Sequence, residues 1–126
     1  MQVSAIMNRY PLIVRADTLA ADAERVAAGR RCHHLLVSQH DDLVGVICVG
    51  DLRRAADRAS VFELLRDRVV AIGPRVTAER AAAIMAERGI GCLPIVDDGF
   101  VAGIVTRDEL LRAGVELAPP AKERGP

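Results

Sequence analysis

The sequence predicts an α/β (α+β) fold in which two pseudo-symmetric β-α-β-β-α repeats pack as one module. Three observations carry that expectation. The chain stays in step with itself when slid by 58 positions, Leu35 onto Leu93, Gly45 onto Gly103 and Leu52 onto Leu110, without a gap from Val3 to Ala55. Ten aligned positions are identical, among them Ala20/Ala78, Ala23/Ala81 and Arg54/Arg112. A fixed period marks one supersecondary unit used twice, each copy burying a face it cannot bury alone. Short apolar runs bounded by Gly, Pro and Asp read as strands, and Ala-rich stretches with a spacing of three and four read as helices.

In copy one, residues 12–14 form the first strand. Asp17-Thr18 opens a helix whose inward face is Ala20, Ala23, Val26 and Ala27. Residues 34–38 are a strand, His40-Asp41-Asp42 a turn, 43–48 the returning strand and 51–58 a second helix. Residues 59–68 link the copies and hold one helical turn. In copy two, residues 69–72 are a strand stopped by Gly73-Pro74. Thr77 caps a helix that runs to Arg88 and ends at Gly89. Its stripe is Ala78, Ala81, Ala82 and Met85, widened by Ile84, with Glu79, Arg80 and Glu87 facing water. Residues 92–96 and 100–105 are the hairpin strands around Asp97-Asp98-Gly99, where Gly supplies positive φ. Residues 107–113 are the last helix. The domain layout is repeat 1 over 1–60, repeat 2 over 61–115 and a tail over 116–126, whose Pro119-Pro120 and polar end have nothing to bury and should be loose.

Composition narrows the function. The length of 126 residues suits one compact domain. Aromatics are only 2% and Trp is absent, which argues against stacking platforms for single-stranded nucleic acid. Seventeen basic residues balance seventeen acidic ones, so the chain lacks an electrostatic footprint for DNA or RNA. No apolar run reaches the roughly 18 residues a membrane span needs, and the N-terminus does not read as a signal peptide. Three irregularly spaced cysteines do not make a disulfide framework. The expectation is a soluble, cytoplasmic protein with no nucleic-acid or membrane partner.

The strongest chemical signal follows the third strand of each copy. Copy two reads Gly103-Ile104-Val105-Thr106-Arg107-Asp108-Glu109-Leu110, and copy one reads Gly45-Val46-Ile47-Cys48-Val49-Gly50-Asp51-Leu52. A strand ending in a hydroxyl and passing into a helix aims free N–H groups at one spot, which suits phosphate. An acid one turn further on lies on the same face and accepts hydrogen bonds from paired donors such as a ribose diol. The same residues also serve a plainer purpose, capping of helices by Thr106 and Asp51. Both readings stand on local sequence.

The period, the order of elements, and the phrases Gly89-Ile90-Gly91-Cys92-Leu93-Pro94-Ile95-Val96-Asp97 and Gly103-Ile104-Val105-Thr106-Arg107 resemble a tandem pair of CBS domains, the Bateman module. The opening Val3-Ser4-Ala5-Ile6-Met7 is similar to the short lead-in of such modules. The resemblance implies a stand-alone regulatory module, without catalytic activity or a required cofactor, that senses AMP, ADP, ATP or S-adenosylmethionine in clefts between the repeats. It also implies a homodimer that signals to a protein target in trans. The family's ligand signature sets Gly, two tolerant positions, Thr or Ser, two more residues, then Asp. Copy two keeps Gly103 and Thr106, with Arg107 following, but carries Glu109 for Asp. Copy one keeps Gly45 and Asp51 but carries Cys48 for the hydroxyl. By resemblance, adenine lies against the end of the first strand and the start of the second. Those positions are Val14 and Ala16 with His34 and Leu36 in copy one, and Ile72 and Pro74 with Pro94 in copy two.

Two other readings stay open. One is a structural dimerisation module with vestigial clefts, its Ala55, Ala56 and Ala113 allowing close helix approach. The other is a thiol redox or metal-responsive protein. Cys48 stands at a helix entrance, where a thiolate is favoured. Cys32, His33, His34 and His40 have metal-ligand chemistry but lack a second cysteine pair, so no metal site is assigned. Cys92 falls on a buried strand as a small core residue. A hydrolytic group of Cys48, Asp51 and a histidine lacks an activated-nucleophile turn, so no catalytic residue is assigned. Arg53, Arg54 and Arg112 read as solvated or dimer-facing rather than as phosphate contacts.

Overall fold

A computed structural model of the chain describes residues 1–66 and 68–117; the tail expected to be loose at 118–126 lies outside the described residues. Contacts divide the chain into two compact units, one formed by Pro11–Val69 and the other by Met1–Tyr10 together with the chain from Val70 onward. No described helix is long and apolar enough to cross a membrane.

The Pro11–Val69 unit holds β1 (Ile13–Arg15), α1 (Ala20–Arg30), β2 (His34–Gln39), β3 (Asp42–Cys48), α2 (Val49–Arg53) and α3 (Val61–Leu64). Its sheet runs β1-β2-β3, with β1 parallel to β2 and β2 antiparallel to β3. Ala20, Ala23 and Ala27 of α1 pack with Leu35, Val37 and Ile47 of the sheet and with Val49, Leu52 and Val61. Methyl-sized side chains let the helix lie close to the strands. Leu35 is fully buried, a contribution of roughly 2 kcal/mol.

The second unit holds a 3-10 turn at Val3–Ala5, α4 (Ala78–Arg88), β4 (Cys92–Asp97), β5 (Phe100–Thr106) and α5 (Arg107–Arg112). Its core joins Val3, Ala78, Ala81, Met85, Leu93, Ile95, Val105 and Leu110. The two hairpins are the same ladder displaced by one period. His34↔Cys48 and Val37↔Gly45 answer to Cys92↔Thr106 and Ile95↔Gly103. Each then slips by one residue, leaving Val44 or Ala102 as the extra residue of a bulge. Two-residue turns with positive φ at both positions close both hairpins: His40 and Asp41 in one, Asp98 and Gly99 in the other.

Each unit is completed by the lead-in of the opposite sequence repeat. The N–H of Val3 donates to the Val76 carbonyl and that of Ala78 to Met1, and Gln2 bridges Thr77. One period later, Val61 donates to Thr18 and Ala20 to Ala59, and Leu19 bridges Ser60. The compact units are therefore offset from the sequence repeats.

Four local expectations change. Asp17-Thr18 does not cap α1; the helix starts at Ala20 after Leu19 without a side-chain cap, because the Ala59 carbonyl already takes the first N–H. Val26 is largely exposed, since Ala20, Ala23 and Ala27 alone face the sheet. The helix expected over 51–58 spans only Val49–Arg53. The strand expected over 69–72 shrinks to one bridge, Ile72↔Ile95. Proline explains the last change. Around β1, Leu36 donates to Leu12 and Ala16 to Ser38. The positions one period on are Pro94 and Pro74, which have no N–H to give. Only the middle bonds survive, Ile72 to Pro94 and Val96 to Ile72.

The repeated glycines Gly45 and Gly103 lie where the lead-ins cross the hairpins. A Cβ on Gly103 would stand 2.6 Å from the Asn8 carbonyl oxygen, whose partner bonds tie Asn8 to Ile104. A Cβ on Gly45 would stand 2.6 Å from a terminal methyl of Leu65, which can swing away. Gly103→Ala is expected to cost about 2–3 kcal/mol and Gly45→Ala about 1 kcal/mol or less. Urea unfolding of the two variants checks the order, and equal losses would show that the lead-in backbone yields as readily as a leucine.

Candidate functional site

The β3–α2 and β5–α5 junctions carry the same three chemical roles one period apart. At β3–α2, Cys48 is the extended residue before the helix and caps nothing with its side chain. Its thiol donates to Asp51 Oδ2 at 3.2 Å, and Arg54 donates to Asp51 Oδ1 at 2.7 Å. The Asp51 side chain remains 49% exposed. At β5–α5, both the Thr106 N–H and the Thr106 hydroxyl donate to Glu109 Oε1 at 2.6 Å. Arg112 reaches Glu109 Oε2 at 3.2 Å, and the Thr106 oxygen accepts from the Asp108 N–H at 3.2 Å. This is a capping box, and it leaves the Glu109 side chain only 15% exposed.

One methylene decides the difference. The longer glutamate folds back to its own N-cap, where a charge-assisted bond to a backbone N–H is stronger than a neutral one. Among the described residues Asp51 takes no backbone N–H; its partners are a weak thiol donor and an exposed guanidinium whose ion pair is worth roughly 0–1 kcal/mol. Arg54 and Arg112, expected to be solvated or dimer-facing, are largely exposed and also pair with these carboxylates. The signal was present in the sequence as acid and Arg three residues apart on one helix. Arg53 reaches back to Glu24 of α1 at 3.2 Å.

The strand register sorts the remaining positions. His34 stands opposite Cys48, so His34, Cys48 and Asp51 share one end of the sheet. Leu36 is fully buried and pairs with Ile13 and Val46. Val14 pairs with Val37, and Ala16 donates to Ser38 at the other end. Because β1 and β2 are parallel, the end of β1 meets the end of β2, not its start. In this register Ala16 falls beside Gln39, about five strand residues from His34 and on the order of 16 Å along the strand. Ala16 instead lines a groove of about 360 Å³ with Arg15, Asp17, Ser38, Gln39, His40 and Asp41. In the other unit Cys92 stands opposite Thr106. Ile72 and Pro94 are hydrogen-bonded to each other, and the Pro74 carbonyl accepts from Ser4. Arg107 begins α5 directly after Thr106.

Among the described residues, no group of three or more His, Cys, Asp or Glu is arranged to hold a metal ion. Cys32 and Cys48 are half-buried, whereas Cys92 is buried. Burial, with the Glu109 charge as a smaller cause, pushes the Cys92 thiol up to about 12.

A family model described as CBS domain matches residues 3–58 and again 61–116. The chain belongs to the CBS domain family, as a tandem pair. The arabinose 5-phosphate isomerase KdsD of Pseudomonas aeruginosa is 40% identical over 88 residues, which is 64% of this chain and 27% of that protein. The chain thus spans about a quarter of that relative. The crystal structure of CBSX2 in complex with AMP matches with a TM-score of 0.78 and 25% identity, over 90% of this chain and 95% of that one. The CBS domain pair of protein MJ0100, in complex with 5'-methylthioadenosine and S-adenosyl-L-methionine, matches with a TM-score of 0.82 and 24% identity, over 90% and 95%.

A thiol held above its ordinary value of 9.0 must stay protonated in the fold. Its contribution to stability is complete below pH 9 and lost as pH rises toward 12, at up to about 1.4 kcal/mol per pH unit. Cys92→Ala is expected to flatten that part of the alkaline unfolding curve. At pH 7.5 a thiol reagent should label Cys32 and Cys48 in the native protein, and Cys92 only after denaturant is added. Equal labelling of all three would contradict the burial.

Proposed function

We propose that the chain is a regulatory module that binds an adenosyl ligand with Asp51 as the ribose-holding carboxylate. The observation that carries this reading is the half-exposed Asp51 side chain, held among the described residues by a thiol and a surface guanidinium. Its partners can be exchanged for a ribose diol at small cost. Family membership and the AMP complex of CBSX2 support the ligand class. Arg54, released from Asp51, would be free to meet a phosphate, and guanidinium forks suit phosphate oxygens. Cys48 takes the place of the family's hydroxyl. His34, opposite Cys48, and Leu36 on the same face of β2 would border the base, with Val14 and Ala16 further along β1. The equivalent positions in the other unit are Thr106, Arg107, Glu109, Ile72, Pro74 and Pro94, but there the capping box already engages Thr106 and Glu109.

In this reading binding changes conformation or the packing of a homodimer and is passed to a protein target in trans, in a soluble cytoplasmic protein that carries out no reaction of its own. The scaffold reading, a dimerisation module that binds nothing, is favoured by one observation, the closed capping box around Glu109.

An adenine nucleotide or S-adenosylmethionine should raise the melting temperature more than guanosine nucleotides do. At 100 times Kd the gain is about 2.7 kcal/mol, a shift of several degrees. Asp51→Ala removes charge-assisted bonds worth roughly 1.5–3 kcal/mol each, so calorimetry should record a 10- to 100-fold weaker Kd. No binding of any adenosyl compound at millimolar concentration would leave the scaffold reading.

Closed two-fold pairing is the commonest oligomer. Sedimentation at micromolar concentration should report about twice the 13.5 kDa chain mass, and a clean monomer would remove the dimer from both readings.

A further inference from the structure

We infer that the chain offers one adenosyl site and not two, because the capping box at the β5–α5 junction withdraws Glu109 from ligand binding. The inference rests on the adenosyl reading of Asp51 and adds its stoichiometry and the residues that set it. Both units present an acid one turn into the helix, with an arginine three residues later. They differ in what already occupies the acid.

Glu109 Oε1 holds two bonds of 2.6 Å, one from the Thr106 backbone N–H and one from its hydroxyl, and Oε2 holds Arg112. The Thr106 hydroxyl is also spent, donating to Glu109 and accepting from Asp108. A ribose diol would have to displace the hydroxyl and leave the Thr106 N–H without its carboxylate. The loss of a partner for a backbone donor is the costly kind of hydrogen-bond loss. A phosphate seeking the Thr106 hydroxyl meets the same barrier. At Asp51 the exchange costs a thiol contact of 3.2 Å and an exposed ion pair. Cys48 and Thr106, with Asp51 and Glu109, therefore act as an open and a closed setting of one device.

The settings should be transferable. Thr106→Cys with Glu109→Asp gives the second junction the pair found at the first. The β3–α2 junction shows that this pair is compatible with the strand-to-helix turn without a side-chain cap. Cys48→Thr with Asp51→Glu builds the box at the first junction.

The test is titration calorimetry of the full chain with AMP, with circular dichroism confirming that each variant is folded. The wild type should bind one equivalent per chain. Asp51→Ala and the Cys48→Thr/Asp51→Glu pair should each weaken it at least 10-fold, while Glu109→Ala leaves that equivalent in place. Thr106→Cys/Glu109→Asp should bind a second equivalent. Two equivalents in the wild type would overturn the inference and leave the adenosyl reading of Asp51 intact, whereas one equivalent lost with Glu109→Ala and kept in Asp51→Ala would overturn both. Failure of the Thr106→Cys/Glu109→Asp pair to gain an equivalent while folded would also overturn it. Zero equivalents of AMP and of S-adenosylmethionine in the wild type would overturn both.

Discussion

The crossing of each lead-in onto the hairpin of the opposite repeat is the constraint on which the rest depends. Val3 and Val61 are both fully buried, and each is anchored by backbone bonds to residues of the other copy's unit. These bonds satisfy the first N–H groups of α1 and α4 from outside the helices, through Ala59 and Met1. They also bring Asn8 against Ile104 and Leu65 against Gly45, so a residue without Cβ is required at Gly103, where the neighbour is backbone, and eases packing at Gly45, where it is a leucine methyl. The two glycines of the repeated phrase are therefore packing residues.

Within that frame the two junctions diverged by small changes. The ladders, bulges and turns are kept in register, so the backbone positions preceding α2 and α5 are equivalent. What differs is side-chain length and donor strength. A threonine with a glutamate three residues later closes on itself, and a cysteine with an aspartate does not. In the proposed reading, local helix capping and ligand binding compete for the same atoms, and the outcome is set by which partner is a backbone N–H. The raised thiol of Cys92 belongs to the same arrangement, since it stands opposite Thr106 beside the Glu109 charge.

The proline pair shows a second kind of divergence. Pro74 and Pro94 remove two donors from one edge of β4, and the first strand of that unit contracts to a bridge. Of the positions named for the base in that copy, Ile72 and Pro74 therefore lie on an irregular segment and Pro94 within β4, while Val14 lies in a regular strand.

The sequence by itself determined the repeat, the order of elements, the inward stripe of α4 and its stop at Gly89, because these rest on local periodicity and on residues with fixed backbone demands. Ala78, Ala81, Ala82 and Met85 are buried as their spacing requires. It also placed Cys48, Asp51, Thr106 and Glu109 at the two strand-to-helix junctions. Only the tertiary structure decided which lead-in completes which unit, since Val3 and Val61 look alike to any local rule. It alone set the parallel register that parts Ala16 from His34, because pairing between distant strands leaves no mark on either. And it alone distinguished an acid already bonded to its own backbone from one left half-exposed, because that choice is made by bonds of 2.6 Å that no residue type announces.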